Sequence, residues 1–162
     1  MPNANAVYIY KEGRARGLTK EAMCAILANV QAESAFEPMN LEDTGNYKLG
    51  LSDSSYTAKV DDGSYTRFIN DGLGYGLAQW TFWSRKQKFY NYAKSRGKSI
   101  GDLKLQTDFL FYEMKSDFNG IWQMLLTSHD LYACTKELLY KWENPYEKVN
   151  NMKLRYSYAQ GW

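Results

Sequence analysis

A single carboxylic acid, Glu33, lies at the edge of a segment with clear helical periodicity. The i, i+3, i+4, i+7 spacing of an apolar helix face is followed by Met23, Ile26, Leu27 and Val30. Glu33 comes three residues after Val30, so we expect it to be partly desolvated and close to the unpaired carbonyls of the last helical turn. Both effects favour the protonated carboxyl group, which is the form that a general acid needs.

Local signals predict a helix from about Lys20 to Ser34 around this acid. Thr19 is a suitable N-cap, Glu21 lies in the first turn, and Pro38 comes after the helix must have ended. Position alone also allows the alternative that Glu33 is a surface residue closing a helix. A second motif favours the first interpretation, in which Glu33 is a general acid.

That second motif is residues 74–81, which read Gly-Tyr-Gly-Leu-Ala-Gln-Trp-Thr. Tyr75 and Trp80 offer aromatic faces that can stack on sugar rings, and the amide of Gln79 can both donate and accept hydrogen bonds. The hydroxyl of Thr81 can orient a water molecule. We expect these four residues to bind substrate, with packing in the core as the alternative for Trp80.

The two motifs together resemble the phage tail lysozyme and endolysin muramidase family of the lysozyme-like superfamily. In that family a catalytic Glu ends the first core helix in an Asn-x-x-x-Glu-Ser context, matched here by residues 29–34. A short β-hairpin carries the second motif, matched by residues 74–81, and the resemblance extends over roughly residues 6–145. It implies an N-acetylmuramidase that cleaves the β-1,4 bond between MurNAc and GlcNAc, with Glu33 as the general acid.

Length and patterning predict one lysozyme-like catalytic domain over residues 1–162, whether alone or within a longer lysin. Residues 41–73 lack helical periodicity, and Ser64–Phe68 alternates like a short strand. Helical patterning begins again at Trp83. Residues 147–159 fit either a last helix or a tail. The expected fold is therefore α+β, mostly α, with a small antiparallel β-hairpin subdomain bordering the substrate cleft.

Glycoside hydrolysis usually needs a second carboxylate, and the sequence offers several. The candidates are Glu42, Asp43, Asp53, Asp61, Asp62 and Asp71. We favour Asp71, because goose-type lysozymes carry an acid close to this place that helps to position a water. A solvated turn residue before Gly72 is the alternative. If Asp71 activates water, its carboxyl group should lie roughly 6.5–9.5 Å from that of Glu33, which predicts inversion.

Two other functions remain open from the sequence. Thr81 stands where goose-type enzymes have a further acid, so a chain with one effective acid would suit a lytic transglycosylase. There Glu33 acts first as acid and then as base, while a substrate hydroxyl closes a 1,6-anhydro ring. The third interpretation is a non-catalytic wall-binding or tail-structural module. The presence of both Glu33 and Gln79 favours an enzyme.

The remaining composition argues against cofactors, metals and nucleic acid. The one histidine, His129, and the two widely separated cysteines, Cys24 and Cys134, supply no metal site or Cys-His dyad, and we expect both thiols to be buried and free. A formal charge of +2 with scattered basic residues does not suggest nucleic-acid binding. The expected partners are peptidoglycan glycan strands, with further lysin or tail domains where the parent protein has them.

The sequence also predicts how the protein reaches its substrate. The N-terminus has neither a charged region nor an apolar region typical of a secretion signal, and no run approaches the roughly 18 apolar residues of a membrane span. We therefore expect no membrane insertion. The resemblance implies synthesis in the host cytoplasm, followed by holin-dependent release or by delivery as a phage-tail component.

Overall fold

A computed structural model describes residues 1–144 and 148–162. In these residues the secondary structure is almost entirely helical, with nine α-helices and one π-helical segment, Leu138–Glu143. The α-helices are α1 Ala4–Ala15, α2 Lys20–Ser34, α3 Asp43–Leu49, α4 Asp53–Asp61, α5 Trp83–Ser95, α6 Leu103–Asp117, α7 Asn119–Thr127, α8 Leu131–Glu137 and α9 Lys148–Gly161.

The helices form two compact units. The first contains residues 1–36 together with the described part of 110–162, and the second contains residues 37–109. In the first unit, α2 contacts α1, α8, α9 and the π-helical segment. The second unit contains α3, α4, α5 and the beginning of α6. Helix α2 is therefore the central element of the unit that carries Glu33.

Helix α2 begins and ends at the predicted residues. Oγ1 of Thr19 accepts a hydrogen bond from the N–H of Ala22 at 3.1 Å, which caps the helix as expected. Ala35 ends it in the left-handed conformation, with φ 50°. Every residue from Ala22 to Val30 is buried, so the helix is enclosed on all sides rather than along one apolar face. Glu33 thus extends from the last turn of a firmly held helix.

The predicted β-hairpin at residues 74–81 was wrong. The described residues contain only isolated antiparallel bridges, and one of these joins Tyr75 to Trp80 through backbone hydrogen bonds of 3.1 and 3.0 Å. Positive φ angles at Gly76 and Gln79, 83° and 50°, reverse the chain between the two bridged residues. One bridged pair forms no ladder, so the segment is a tight turn rather than a strand-bearing subdomain.

The predicted β-region at residues 41–73 instead contains α3 and α4. Both helices are short and mostly polar, so they have no long apolar stripe for periodicity to detect. Their capping signals are present: Oγ of Ser52 accepts from the N–H of Ser55 at 3.1 Å, and Gly50 ends α3 with φ 64°. Residues 64–68 form no strand, since no neighbouring described segment pairs with them.

The C-terminal segment is helical. The sequence predicts either a last helix or a tail for residues 147–159. Residues 148–159 belong to α9, and Glu147 lies outside the described residues. The buried side chains of α9 are Met152, Arg155 and Ala159, which repeat at helical spacing and face the first unit's core. An arginine therefore occupies a position that the pattern would assign to an apolar residue.

Candidate functional site

Glu33 forms an ion pair that the sequence did not predict. Its side chain is 19% exposed, and Oε1 accepts a hydrogen bond from Nη2 of Arg155 in α9. Arg155 is itself buried, with 2% of its surface exposed. The sequence placed Glu33 beside the unpaired carbonyls of its own helix end but gave no indication of this adjacent positive charge. The electrostatic surroundings of Glu33 are therefore set by α9 as well as by α2.

The same arginine explains the Asn-x-x-x-Glu spacing. Nη1 of Arg155 donates to Oδ1 of Asn29 at 2.7 Å, and Nδ2 of Asn29 donates to the carbonyl of Ala25 at 2.9 Å. Asn29 and Glu33 are four residues apart, so they lie on one face of α2. The planar guanidinium fork reaches both of them. These two residues of the motif form the binding site for Arg155.

Two further details define the surroundings of Arg155. Nη2 lies 3.5 Å from Oδ1 of Asn151, one turn earlier in α9. Nε is buried and has no hydrogen-bond partner within residues 1–144 and 148–162. The guanidinium is therefore held mainly by Asn29 and Glu33. The only sequence signal for its role is an arginine at a buried position of the helical repeat.

Arg155→Met is expected to lower the free energy of unfolding by about 2–3 kcal/mol. Removing one partner of a buried ion pair commonly costs about 3–5 kcal/mol, and we take a lower value because Glu33 is partly exposed to water. Arg155→Lys should lower the free energy of unfolding by a smaller amount, since an ammonium keeps the charge but does not span both acceptors. Urea unfolding measures the free energy of unfolding of the wild type and of both variants. An Arg155→Met protein as stable as the wild type would contradict the argument.

Asp71 lies at the centre of a buried network in the second unit. Its side chain is 4% exposed. Oδ1 accepts from Nζ of Lys86 at 2.6 Å and from the N–H of Leu73 at 2.9 Å. Oδ2 accepts from the hydroxyls of Tyr56 at 2.6 Å and Tyr65 at 2.9 Å. Both carboxylate oxygens are thus occupied by donors from the protein itself.

This arrangement argues against the predicted role of Asp71 in activating water. A general base must reach the water that it deprotonates, whereas Asp71 is enclosed and already accepts four hydrogen bonds. The alternative of a solvated turn residue is equally inconsistent with its burial. Asp71 instead joins the residues before Gly74 to α4 and α5, which is a structural role.

Burial changes the titration of the groups around Asp71. Lys86 is fully buried, and desolvation lowers its pKa, an effect that the adjacent Asp71 carboxylate opposes. Burial and the hydrogen bond to Asp71 raise the pKa of Tyr56 far above its usual range, and that of Tyr65 to about 12. Both phenols therefore remain protonated donors to Asp71 at neutral pH. Nζ of Lys86 also lies 4.3 Å from the centroid of the Phe68 ring.

Tyr75 and Trp80 are core residues, which corrects the prediction that they contact sugar. Both have 0% exposure. The hydroxyl of Tyr75 is 2.5 Å from Oγ1 of Thr57, and Trp80 stacks on Phe89 with ring centroids 4.8 Å apart. The alternative considered for Trp80, packing in the core, is the observed one. Their aromatic faces are not accessible to a ligand.

Gln79 and Thr81 lie closer to the surface. Gln79 is half-buried, and its Nε2 donates to the backbone carbonyls of Asn40 at 2.9 Å and Gly76 at 3.1 Å. Thr81 is exposed and donates to the carbonyl of Gln79 at 2.8 Å. A Cβ at Gly74 would lie 2.8 Å from Oε1 of Gln79 and 3.2 Å from Oγ1 of Thr81. A side chain at position 74 would therefore require the Gln79 side chain to move.

Glu42 is the acid that contacts this segment. It is half-buried, its Oε1 accepts from the N–H of Gly74 at 2.6 Å, and its Oε2 accepts from the hydroxyl of Thr44 at 2.7 Å. Of the other acids considered, Asp53 accepts from the N–H of Leu41 at 3.3 Å. Asp61 accepts from Ser99 and Ile100, and Asp62 from Ser64. The sequence includes Glu42 among the candidate carboxylates but favours Asp71.

The two cysteines are buried and free, as the sequence predicted. Burial raises the pKa of both the Cys24 and the Cys134 thiol, which keeps them protonated. Within the described ranges, no three or more His, Cys, Asp or Glu side chains converge as metal ligands would. None of the helices described is both long and apolar enough to cross a bilayer.

A carboxylate at the end of an enclosed central helix, in a mainly helical protein, is the arrangement expected for a lysozyme-like hydrolase. The chain belongs to the phage tail lysozyme family, whose model matches residues 4–162. This confirms the resemblance drawn from residues 29–34 and 74–81. Membership implies a lysozyme-type activity that degrades peptidoglycan.

Proposed function

We propose that this protein is an N-acetylmuramidase that cleaves the β-1,4 bond between MurNAc and GlcNAc, with Glu33 as the general acid. The observation that carries the proposal is the position of Glu33, partly exposed at the end of an enclosed helix in the Asn-x-x-x-Glu-Ser context. Family membership supplies the substrate class. The protein would reach the wall on a phage tail or after holin-dependent release.

In this mechanism Glu33 gives its proton to the oxygen of the leaving sugar as the glycosidic bond breaks. Oε1 is engaged by Arg155, so Oε2 is the oxygen that carries the proton. Once the proton has left, the new carboxylate is stabilised by the adjacent guanidinium. Arg155 would therefore assist proton transfer by stabilising its product.

Glu42 replaces Asp71 as our candidate for the second carboxylate. Each of its oxygens accepts one hydrogen bond, from Gly74 and from Thr44, but the residue is only half-buried and so remains in reach of water. The Asp71 side chain is enclosed, with 4% exposed, and accepts four hydrogen bonds. Gln79 and Thr81 are retained as proposed substrate-binding residues, because both are at least partly exposed. Tyr75 and Trp80 are fully buried and have no sugar contacts in this proposal.

The enclosure of Asp71 also favours a second candidate function, lytic transglycosylation. In that reaction Glu33 donates a proton and then removes one from a substrate hydroxyl, so no second carboxylate is needed. The bond formed is the 1,6-anhydro ring, and no water is consumed. The chemistry of the released sugar end separates the two reactions.

The proposal is tested by the products released from purified Gram-positive peptidoglycan. Mass spectrometry is expected to find muropeptides with reducing MurNAc ends. If Glu42 is the second carboxylate, a Glu42→Gln variant should release far less of these muropeptides than the wild type. Products with 1,6-anhydro ends would establish the transglycosylase instead. If the folded protein releases no sugar from several wall types, it is a binding or structural module and the proposed activity is wrong.

A further inference from the structure

Two adjacent aromatic side chains, Phe82 and Trp83, are exposed immediately after Thr81. Their exposed fractions are 62% and 53%, their ring centroids are 6.0 Å apart, and their planes are inclined by 39°. Phe82 is the N-cap residue of α5 and Trp83 is its first residue, so the helix fixes the backbone beneath both rings. We refer to these two residues as the Phe82–Trp83 pair.

The core of the second unit is built without this pair. Tyr75 and Trp80, from the preceding segment, are fully buried and contact other core aromatic residues such as Phe89. An exposed aromatic ring forgoes the favourable free energy of burial, which for a large side chain is substantial. Two such rings side by side form a continuous exposed aromatic surface.

The groups next to the pair are polar and suited to a saccharide. Thr81 presents an exposed hydroxyl directly before Phe82, and the half-buried amide of Gln79 comes two residues earlier. The hydroxyl of Thr81 and the backbone of Gln79 are joined by a hydrogen bond of 2.8 Å. Sugar rings have apolar C–H faces and polar edges, so aromatic faces beside hydroxyl and amide groups match both parts.

We propose that the Phe82–Trp83 pair is a glycan-binding subsite that stacks on an N-acetylhexosamine ring of the peptidoglycan strand. This inference rests on the proposed function, which supplies the polymer, and it assigns aromatic contacts that Tyr75 and Trp80 do not provide. Thr81, the residue directly before Phe82, supplies an exposed hydroxyl next to the pair.

The test measures binding without cleavage. The full chain carrying Glu33→Gln is titrated by calorimetry with chitotetraose and is sedimented with purified peptidoglycan. Adding Trp83→Ala is expected to weaken binding about tenfold, and adding Phe82→Ala about fivefold, because each removes one stacking face. Tyr47→Ala is the matched control, since Tyr47 is an aromatic residue of the same unit with 91% exposure. Its affinity should not change.

A lipid surface is the alternative ligand for an exposed aromatic pair, and a second binding experiment distinguishes it from a glycan. Anionic lipid vesicles are sedimented with the same proteins. Vesicle binding that requires Trp83, with chitotetraose affinity unchanged in Trp83→Ala, would overturn the glycan proposal. Equal glycan affinity of all folded variants would overturn it as well. Circular dichroism verifies that each variant is folded before the comparison.

Failure of this inference is distinguishable from failure of the proposed function. If the wild type releases no sugar, yet glycan binding is lost in Trp83→Ala, the subsite is supported and the muramidase is not. If the wild type releases muropeptides and Trp83→Ala does so with an unchanged KM and unchanged affinity, the muramidase is supported and the subsite is wrong.

Discussion

Glu33→Gln is expected to lower the rate of peptidoglycan cleavage by about 10²–10⁴-fold, the usual contribution of a general acid. Glutamine has nearly the same size, and its amide oxygen can still accept the hydrogen bond from Arg155. It has no acidic proton to give to the leaving oxygen. The measurement is the initial rate at which new sugar ends appear in the soluble fraction.

A matched control for this experiment is Glu37→Gln. Glu37 is exposed and lies only a few residues after Glu33, so the change has the same chemistry and should leave the rate unaltered. Glu33→Gln also removes the negative charge beside the buried Arg155, so its stability must be measured by urea unfolding first. A folded Glu33→Gln protein that cleaves at the wild-type rate would exclude Glu33 as the acid.

Asp71→Asn is expected to destabilise the protein by about 3–5 kcal/mol, because it leaves the fully buried Lys86 without its counter-charge. For a chain of this size the melting temperature should fall by about 6–20 °C. The expected cause is loss of structure rather than loss of a catalytic group. Cleavage per folded molecule, measured well below the melting temperature, should therefore remain close to that of the wild type.

The pH dependence of the Asp71→Asn variant gives a second measurement. Burial lowers the pKa of Lys86 in the folded protein. Without the carboxylate that opposes this effect, folded Lys86 should lose its proton at lower pH than unfolded Lys86 does. The unfolded state then binds more protons, so the variant's stability should recover as pH rises between those two pKa values.

A double-mutant cycle provides the control for the Asp71 prediction. Asp71→Asn combined with Lys86→Met removes the buried charge as well as its partner, so the double variant should be more stable than Asp71→Asn alone. Urea unfolding of the wild type, both single variants and the double variant gives the coupling free energy. A coupling near zero would show that the ion pair does not stabilise the second unit.

Features encoded by neighbouring residues were predictable from the sequence. The ends of α2 follow from Thr19, the apolar repeat and the residues before Pro38, because capping and helical periodicity act over one or two turns. The same local spacing placed Glu33 at the helix end and matched residues 29–34 to the family. The small, polar helices α3 and α4 were missed because their only local signals were short caps.

Only the tertiary structure decided which side chains are buried and what they contact. Tyr75 and Trp80 are in the core although their composition suits sugar binding, and Asp71 is enclosed by Lys86 and two tyrosines. Arg155 meets Glu33 across 122 positions of sequence. Burial and ion pairing depend on residues that are distant along the chain, and local patterns of propensity and spacing contain no information about which distant residues will meet.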